Sequence, residues 1–285
     1  MRPEYVKVPL PSGDIYANLK SQIRGRNLHT VCEEARCPNV AECWGNGTAT
    51  FMVMGKNCSR GCRFCSVTHG RMEPLDPHEP DKIADTVKAM GLDYVVITSV
   101  DRDDLPDQGA RHFAKVIEKV KDLGVKVEAL IPDFRGDKDL IRIILDTEPD
   151  VLDHNVETVR RLTPFVRDPR AGYDQSLSLL KFAKLARPEQ LTKSSIMLGL
   201  GETDEEVEET LRDLRENEVD IVTIGQYLRP SRLQLPVVEY SSMERFKRLE
   251  ELAYSLGFSF VASGPLVRSS YRAAEAWAKR RLYHV

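Results

Sequence analysis

Apolar residues fall in short continuous runs, separated by longer stretches in which they recur every three or four positions. The continuous runs predict strands over Thr48–Gly55, Tyr94–Val100, Val125–Ile131, Val151–Asn155, Ser195–Leu200, Ile221–Tyr227 and Phe258–Ala262. Runs of this kind suit parallel strands buried on both faces, since alternation would mark a strand with one wet side. The periodic stretches predict helices over Asp81–Met90, Gly109–Leu123, Lys138–Thr147, Gln175–Ala186, Asp204–Glu216 and Ser242–Ser255. Thr203 with Glu206 three residues on reads as a capping box opening one helix. Gly91, Gly124 and Gly257 stand where left-handed C-terminal caps belong. Strands alternating with helices mean βα units, right-handed crossovers and an α/β fold with a parallel sheet.

The chain has 285 residues, 41% of them hydrophobic, enough for a sizeable core. Charged residues make up 30%, yet Lys plus Arg (41) and Asp plus Glu (44) nearly cancel to −3. That balance argues against a phosphate backbone as the main partner, so no nucleic-acid partner is expected. No run approaches the roughly 18 apolar residues that span a bilayer, so no membrane partner is expected either. The first residues carry prolines and acids where a secretory signal would have an apolar core. The expected compartment is the cytoplasm, where thiols stay reduced.

All six cysteines lie between Cys32 and Cys65. They form two triplets, Cys32-x4-Cys37-x5-Cys43 and Cys58-x3-Cys62-x2-Cys65. A disulfide framework is usually spread through a small secreted domain, which this is not. Structural zinc wants four ligands, and neither triplet has a clean fourth, although His29 and His69 are in range and keep zinc open on count alone. Soft thiolates suit iron–sulfur clusters, and three of them leave one iron of a cubane open. The compact spacing of the second triplet, with Phe64 inside it, favours that reading.

Cys58-Ser-Arg-Gly-Cys62-Arg-Phe64-Cys65 resembles the CxxxCxΦC signature of the radical S-adenosylmethionine superfamily. His29-Thr-Val-Cys32-Glu-Glu-Ala-Arg-Cys37-Pro-Asn-Val-Ala-Glu-Cys43-Trp44 resembles the N-terminal cluster motif of the lipoyl synthase family, and Arg268-Ser269-Ser270-Tyr271 its RSSY element. Between them, Thr98-Ser-Val-Asp101, Asp153-His-Asn155-Val-Glu157-Thr, Met197-Leu-Gly-Leu-Gly-Glu202 and Gly225-Gln-Tyr-Leu-Arg-Pro-Ser231 are similar in character, so the likeness runs from about His29 to Ala273. Departures are small: Lys56-Asn57 precedes Cys58 where the family usually has an acidic residue, and Ser59 replaces a common threonine.

The resemblance implies a partial (β/α) TIM-type barrel of the radical S-adenosylmethionine kind over residues 48–265. Residues 1–47 would be an N-terminal extension carrying the auxiliary-cluster cysteines, and 266–285 a C-terminal extension with the RSSY element. It implies two [4Fe-4S] clusters and S-adenosylmethionine as cofactors. Cys58, Cys62 and Cys65 would hold the radical-generating cluster. Cys32, Cys37, Cys43 and a serine, Ser270 before Ser269, would hold an auxiliary cluster that is consumed as sulfur donor. The implied activity is that of a sulfurtransferase. Two sulfurs enter an octanoyl chain at its sixth and eighth carbons while it is amide-linked to a lysine of a carrier domain, and two S-adenosylmethionine are cleaved. The implied partners are octanoylated carrier domains (2-oxoacid dehydrogenase E2 or glycine cleavage H protein), an electron donor such as ferredoxin or flavodoxin, and a cluster-repair protein.

Other residues carry a functional and a plainer reading side by side. Asp101, Asn155 and Glu157 follow strand ends, where barrel enzymes place polar groups, and are candidates to bind S-adenosylmethionine together with Phe64, Gly199 and Gly201; the plainer reading is loop capping and a tight turn. Arg268 is a catalytic candidate with Ser270, or a surface charge, and both serines could simply cap a helix. His154 reads as a structural partner rather than a ligand. Tyr227 and Arg229 read as wall residues. The Glu205–Glu209 acids read as a solvated helix start.

Overall fold

Every apolar run read as a strand is one, and every periodic stretch read as a helix is one. The computed structural model describes residues 3–6, 14–34, 37, 39–45, 49–270 and 273. The chain divides into two compact units. The first comprises Val8–Gly61 and Ser66–Leu152; the second comprises Met1–Lys7, Cys62–Cys65 and Asp153–Val285.

The first unit runs α1 (Asp14–Gly25), β1 (His29–Thr30), α2 (Val31–Glu34), α3 (Val40–Gly45), β2 (Thr50–Val53), β3 (Asn57–Cys58), β4 (Thr68–His69), α4 (Glu79–Met90), β5 (Tyr94–Ser99), α5 (Ala110–Lys121), β6 (Lys126–Leu130) and α6 (Lys138–Leu145), then enters β7 (Val151–Asp153). β2, β5 and β6 are parallel neighbours, with Thr50 opposite Val96 and Tyr94 opposite Lys126. Val95, Val96 and Ile97 are fully buried, as expected for a strand covered on both faces. α5 turns Phe113, Val116, Ile117 and Val120 inward at helical spacing and leaves Arg111, Lys115 and Glu118 exposed. β1 pairs antiparallel with β2 (His29 with Met52, Thr30 with Phe51). The segment expected as an extension therefore adds an edge strand here and places Cys32 two residues beyond it. Two residues are too short to show a period, so the sequence carries no signal for β1.

The second unit runs α7 (Thr163–Val166), α8 (Tyr173–Ala186), β8 (Thr192–Leu198), α9 (Asp204–Glu216), β9 (Ile221–Gln226), α10 (Met243–Ser255) and β10 (Phe260–Gly264). β8, β9 and β10 are parallel neighbours. The capping box of α9 forms as read, with Thr203 accepting from the Glu206 N–H. β8 starts three residues earlier than its hydropathy suggests. Thr192-Lys193-Ser194 is polar but buried: Lys193 Nζ faces Asp153 Oδ2 at 3.7 Å, and Ser194 Oγ accepts from the Val156 N–H at 3.2 Å. A buried polar run is tolerated when each group has such a partner, and hydropathy alone cannot see the partners. No described helix is long and apolar enough to cross a membrane.

Candidate active site

Past β2 the chain reverses at Met54 (φ 70°) and Gly55 (φ 88°). The Met54 N–H donates to both oxygens of buried Glu79, at 3.2 and 2.9 Å, and Glu79 Oε2 lies 2.6 Å from His112 Nε2. Sequence reading missed both residues, because each looks like a surface charge on a helix. The turn leads into Cys58-Ser59-Arg60, which is held from several sides. Arg60 donates Nε and Nη2 to the two oxygens of Asp103 (2.9 and 3.0 Å), and Nη1 to Asp133 (2.7 Å). Ser59 Oγ donates to Asp103 Oδ2 at 3.1 Å, and the Ser59 N–H donates to the Asp101 carbonyl at 3.0 Å. The Arg60, Asp103 and Asp133 side chains are only 2%, 4% and 0% exposed, and Arg135 joins them, its Nε 3.0 Å from Asp103 Oδ1 and its N–H donating to Asp133 Oδ1 at 2.9 Å.

This cage separates three carboxyls. Burial pushes Asp101 up to about 6, against the pull of Arg60 3.4 Å away and with help from Asp133 and Asp103. Burial also acts on Asp103, but its bonds from Arg60 and Ser59 prevail and hold it down at about 2. For Arg60 burial opposes the charge, and the bonds to Asp103 and Asp133 overcome it and raise its pKa. The Asp101 N–H points at Cys58 Sγ from 3.3 Å, and Asp101 Oδ2 lies 3.6 Å from the same sulfur.

The first cysteine triplet also lies in this unit. Burial, then the Cys37 thiol, pushes Cys32 up to about 11, with hydrogen bonds from the Thr50 backbone and Trp44 opposing. Burial, then Cys37 and Cys32, pushes Cys43 up to about 12. The three sulfurs thus share one electrostatic neighbourhood, and iron binding there would have to displace protons. The six cysteines form no disulfide. Among the described residues no three His, Cys, Asp or Glu side chains are grouped as ligands of a single metal ion.

In the second unit, Cys62 Sγ accepts the Asp168 N–H at 3.3 Å. Buried Asp168 is fixed in turn by Arg170, which donates Nε at 2.8 Å and Nη2 at 3.0 Å. In each unit, then, a backbone N–H is aimed at a cysteine sulfur beside an Asp–Arg pair. Such donors favour thiolate over thiol, which fits an iron–sulfur ligand set. Phe64 and Cys65 are half-buried, and the Cys65 carbonyl receives Gln234 Nε2 at 3.1 Å.

The loop after β7 holds Asn155 and Glu157. Asn155 Nδ2 donates to Glu157 Oε1 at 3.1 Å, while the buried Asn155 Oδ1 has no donor among the described residues. Glu157 sits at φ 68°, a strained conformation for a glutamate, and burial raises its pKa against Arg167 and Asn155. Ser99 Oγ, at the end of β5 in the first unit, is likewise buried without a partner. Within the second unit, the unsatisfied Asn155 Oδ1 close to a strained acid is what a hydroxyl- or amine-bearing ligand would satisfy. Gly199 and Gly201 have φ of 98° and 106°. A Cβ on Gly199 would lie 2.1 Å from Gln226 Nε2 and 2.5 Å from the Glu239 carbonyl, so packing alone already requires glycine there. Buried Glu202, quoted in a motif but assigned no role, accepts the Gly199 and Leu200 N–H groups at 2.6 and 2.9 Å.

His154 Nε2 bonds Ser176 Oγ at 2.9 Å, the structural role read for it. Tyr227 OH donates to the Leu235 carbonyl, and Arg229 to the carbonyls of Gln234 and Arg232, so both brace a loop. Arg268, half-buried, donates Nη1 to the Gln226 and Val267 carbonyls at 3.2 and 2.6 Å. Ser269 and Ser270 follow it in a half-buried turn, and Tyr271 lies outside the described residues.

Residues 52–214 match the model of the radical SAM superfamily, and residues 1–37 that of the N-terminal domain of lipoyl synthase. The lipoyl synthase of Picrophilus torridus is 70% identical over 96% of this chain and 95% of its own. That of Thermus thermophilus is 56% identical over 95% of this chain and 85% of its own. Among solved structures, methylornithine synthase covers 89% of this chain and 79% of its own at TM-score 0.56 and 16% identity. Streptococcus suis SuiB bound to its precursor peptide covers 91% of this chain and 54% of its own at TM-score 0.60 and 13% identity. Likeness at that identity establishes the fold, a partial (β/α) barrel of mostly parallel strands. Together with the two placed cysteine triplets, these relatives assign the chain to the lipoyl synthase family of the radical S-adenosylmethionine superfamily.

Proposed function

We propose that the chain is a sulfurtransferase that inserts two sulfur atoms, at the sixth and eighth carbons, into an octanoyl chain amide-linked to a carrier-domain lysine. Superfamily membership implies one [4Fe-4S] cluster and S-adenosylmethionine. Cys58, Cys62 and Cys65 are the proposed ligands of that cluster. Cys32, Cys37 and Cys43, with Ser270, are the proposed ligands of a second. When bound, these groups supply the one-electron chemistry, the radical that takes hydrogen from an unactivated carbon, and the sulfur. The observation that carries the reading is the pair of cysteine triplets, one with sulfurs under backbone N–H donors and the other with mutually coupled sulfurs.

The chain's own residues do the positioning. Arg60, Asp103 and Asp133 lock the Cys58 loop, and the Asp101 and Asp168 N–H groups stabilise negative sulfur. Asp101, Asn155, Glu157, Gly199 and Gly201, with Phe64, are the proposed contacts of S-adenosylmethionine. Arg268 braces the segment that presents Ser270. An alkoxide is a harder ligand than thiolate and leaves more readily on protonation, which suits a cluster meant to be given up. We further propose octanoylated E2 or H-protein carrier domains as substrates, ferredoxin or flavodoxin as electron donor, a cluster-repair protein, and a reducing, cytoplasmic setting.

The test is an anaerobic assay on reconstituted protein with S-adenosylmethionine, a strong reductant and an octanoyl-lysine peptide, read by mass spectrometry. The expected result is 5′-deoxyadenosine and a peptide heavier by two sulfurs. Cys37→Ala should keep deoxyadenosine formation and lose sulfur insertion, whereas Cys62→Ala should lose both. Deoxyadenosine with an untouched peptide would leave the radical chemistry standing and sink the substrate.

A further inference from the structure

Within the second unit, Phe165 and Leu233, two of the most exposed large apolar side chains, lie on segments that hydrogen-bond to Arg63, and Val238 lies five residues beyond Leu233. Leu233 is 93% exposed, Val238 65% and Phe165 61%. Arg63, inside the Cys62–Cys65 motif, joins the segments that carry Phe165 and Leu233. Its N–H donates to the Val166 carbonyl at 2.9 Å, its guanidinium to the Phe165 carbonyl at 3.1 Å, and its own carbonyl accepts the Leu235 N–H at 3.1 Å. Val238 is held separately, its N–H donating to the Gly199 carbonyl at 2.9 Å.

Leu233 is not on a loose loop. Arg229 donates to the carbonyls on either side of it, Arg232 at 2.6 Å and Gln234 at 2.8 Å, and the Leu233 N–H donates to Ser231 Oγ at 3.2 Å. The turn is stapled so that an apolar side chain stands in water, where burial would be worth about 1.5–3 kcal/mol. Scattered surface leucines are ordinary, but rigid apolar groups gathered at one site mark an interface.

The charges around it say what kind. Among the described residues, the guanidinium groups of Arg63, Arg229 and Arg232 form no ion pair. Elsewhere in this unit Arg160, Arg161, Arg212 and Arg248 each hold a carboxylate. An apolar centre ringed by uncompensated arginines matches a partner with an acidic rim and an apolar spot.

We infer that this surface docks the acidic face of the octanoylated carrier domain, an inference that rests on the function proposed above. The substrate carbon chain hangs from a lysine of that domain, so the domain must settle within one lysine arm of the reacting site. Arg63 is flanked by Cys62 and, one residue on, by Phe64 and Cys65, which puts the docking rim on the backbone of the proposed cluster ligands.

The experiment compares two substrates, an octanoylated carrier domain and a free octanoyl-lysine peptide, for the wild type, Leu233→Asp and Arg232→Glu. Each variant should raise KM for the domain about ten-fold or more at unchanged kcat, as loss of an interface anchor does. The peptide, too small to reach the patch, should keep its wild-type kcat/KM. Arg232→Glu should also flatten the salt dependence seen with the domain. Domain KM unchanged in both variants overturns the docking surface. Domain and peptide activity falling in parallel overturns it as well, since the loop would then belong to the reacting site. If the wild type itself cleaves S-adenosylmethionine but modifies neither substrate, the functional reading has failed, and docking of this partner with it.

Discussion

Asp103 satisfies a buried arginine at two nitrogens and a serine at a third point, all on the loop that carries Cys58. Asp103→Asn would leave Arg60 with Asp133 and the weaker contact to Asp101. Breaking a buried pair on one side leaves charge uncompensated and costs about 3–5 kcal/mol. Urea denaturation should show that loss, and iron content after reconstitution should fall with it. The pH dependence has a definite sign. Asp103 is held at about 2, below its ordinary 3.8, so its stabilisation is present above the ordinary value and lost as pH falls toward 2. Acid titration of the wild type should contain that step and Asp103→Asn should lack it. Asp101 has the opposite sign: burial lifts it to about 6, so its carboxylate increasingly burdens the fold as pH rises from its ordinary value through 6. In cluster-free protein, Asp101→Asn should therefore gain stability relative to wild type over that interval.

At the scale of elements, β9 and β10 run side by side with Gly225 opposite Gly264, and the chain leaving β10 folds back over β9. A Cβ on Gly225 would come within 2.2 Å of the Val267 carbonyl. The neighbour is backbone and cannot swing away, so Gly225→Ala has to move the segment that leads to Ser270. Overpacking of this sort costs about 1–3 kcal/mol. Thermal unfolding should come several degrees earlier, and sulfur insertion should fall more than S-adenosylmethionine cleavage. Thr203→Ala offers a plain comparison. It removes the N-cap of α9, should cost about 1 kcal/mol, and should leave the ratio of the two activities unchanged.

For the whole molecule, two four-iron clusters require about eight irons per chain under anaerobic reconstitution, and about four after either cysteine triplet is replaced by alanine. Iron and sulfide analysis checks this directly, and a count of about four in the wild type would remove the second cluster. At the same scale the near-neutral charge conceals a local arrangement. A net of −3 gives no hint of three arginines around Leu233 that hold no carboxylate among the described residues, because a sum over the chain discards position.

The sequence by itself determined whatever is set by neighbours along the chain. Periodicity located the strands and long helices, the Thr203–Glu206 spacing located a helix start, and the two cysteine spacings pointed to the family and to the ligand sets proposed above. Tertiary structure decided what depends on residues far apart in sequence. Arg60 meets Asp133 across 73 positions and the Arg63 segment meets the Phe165 segment across 102, and no local pattern encodes either meeting. The buried Lys193, the strained Glu157 and the Glu79–His112 pair were invisible for the same reason. Each is a polar group whose cost is offset only by a partner that folding brings to it.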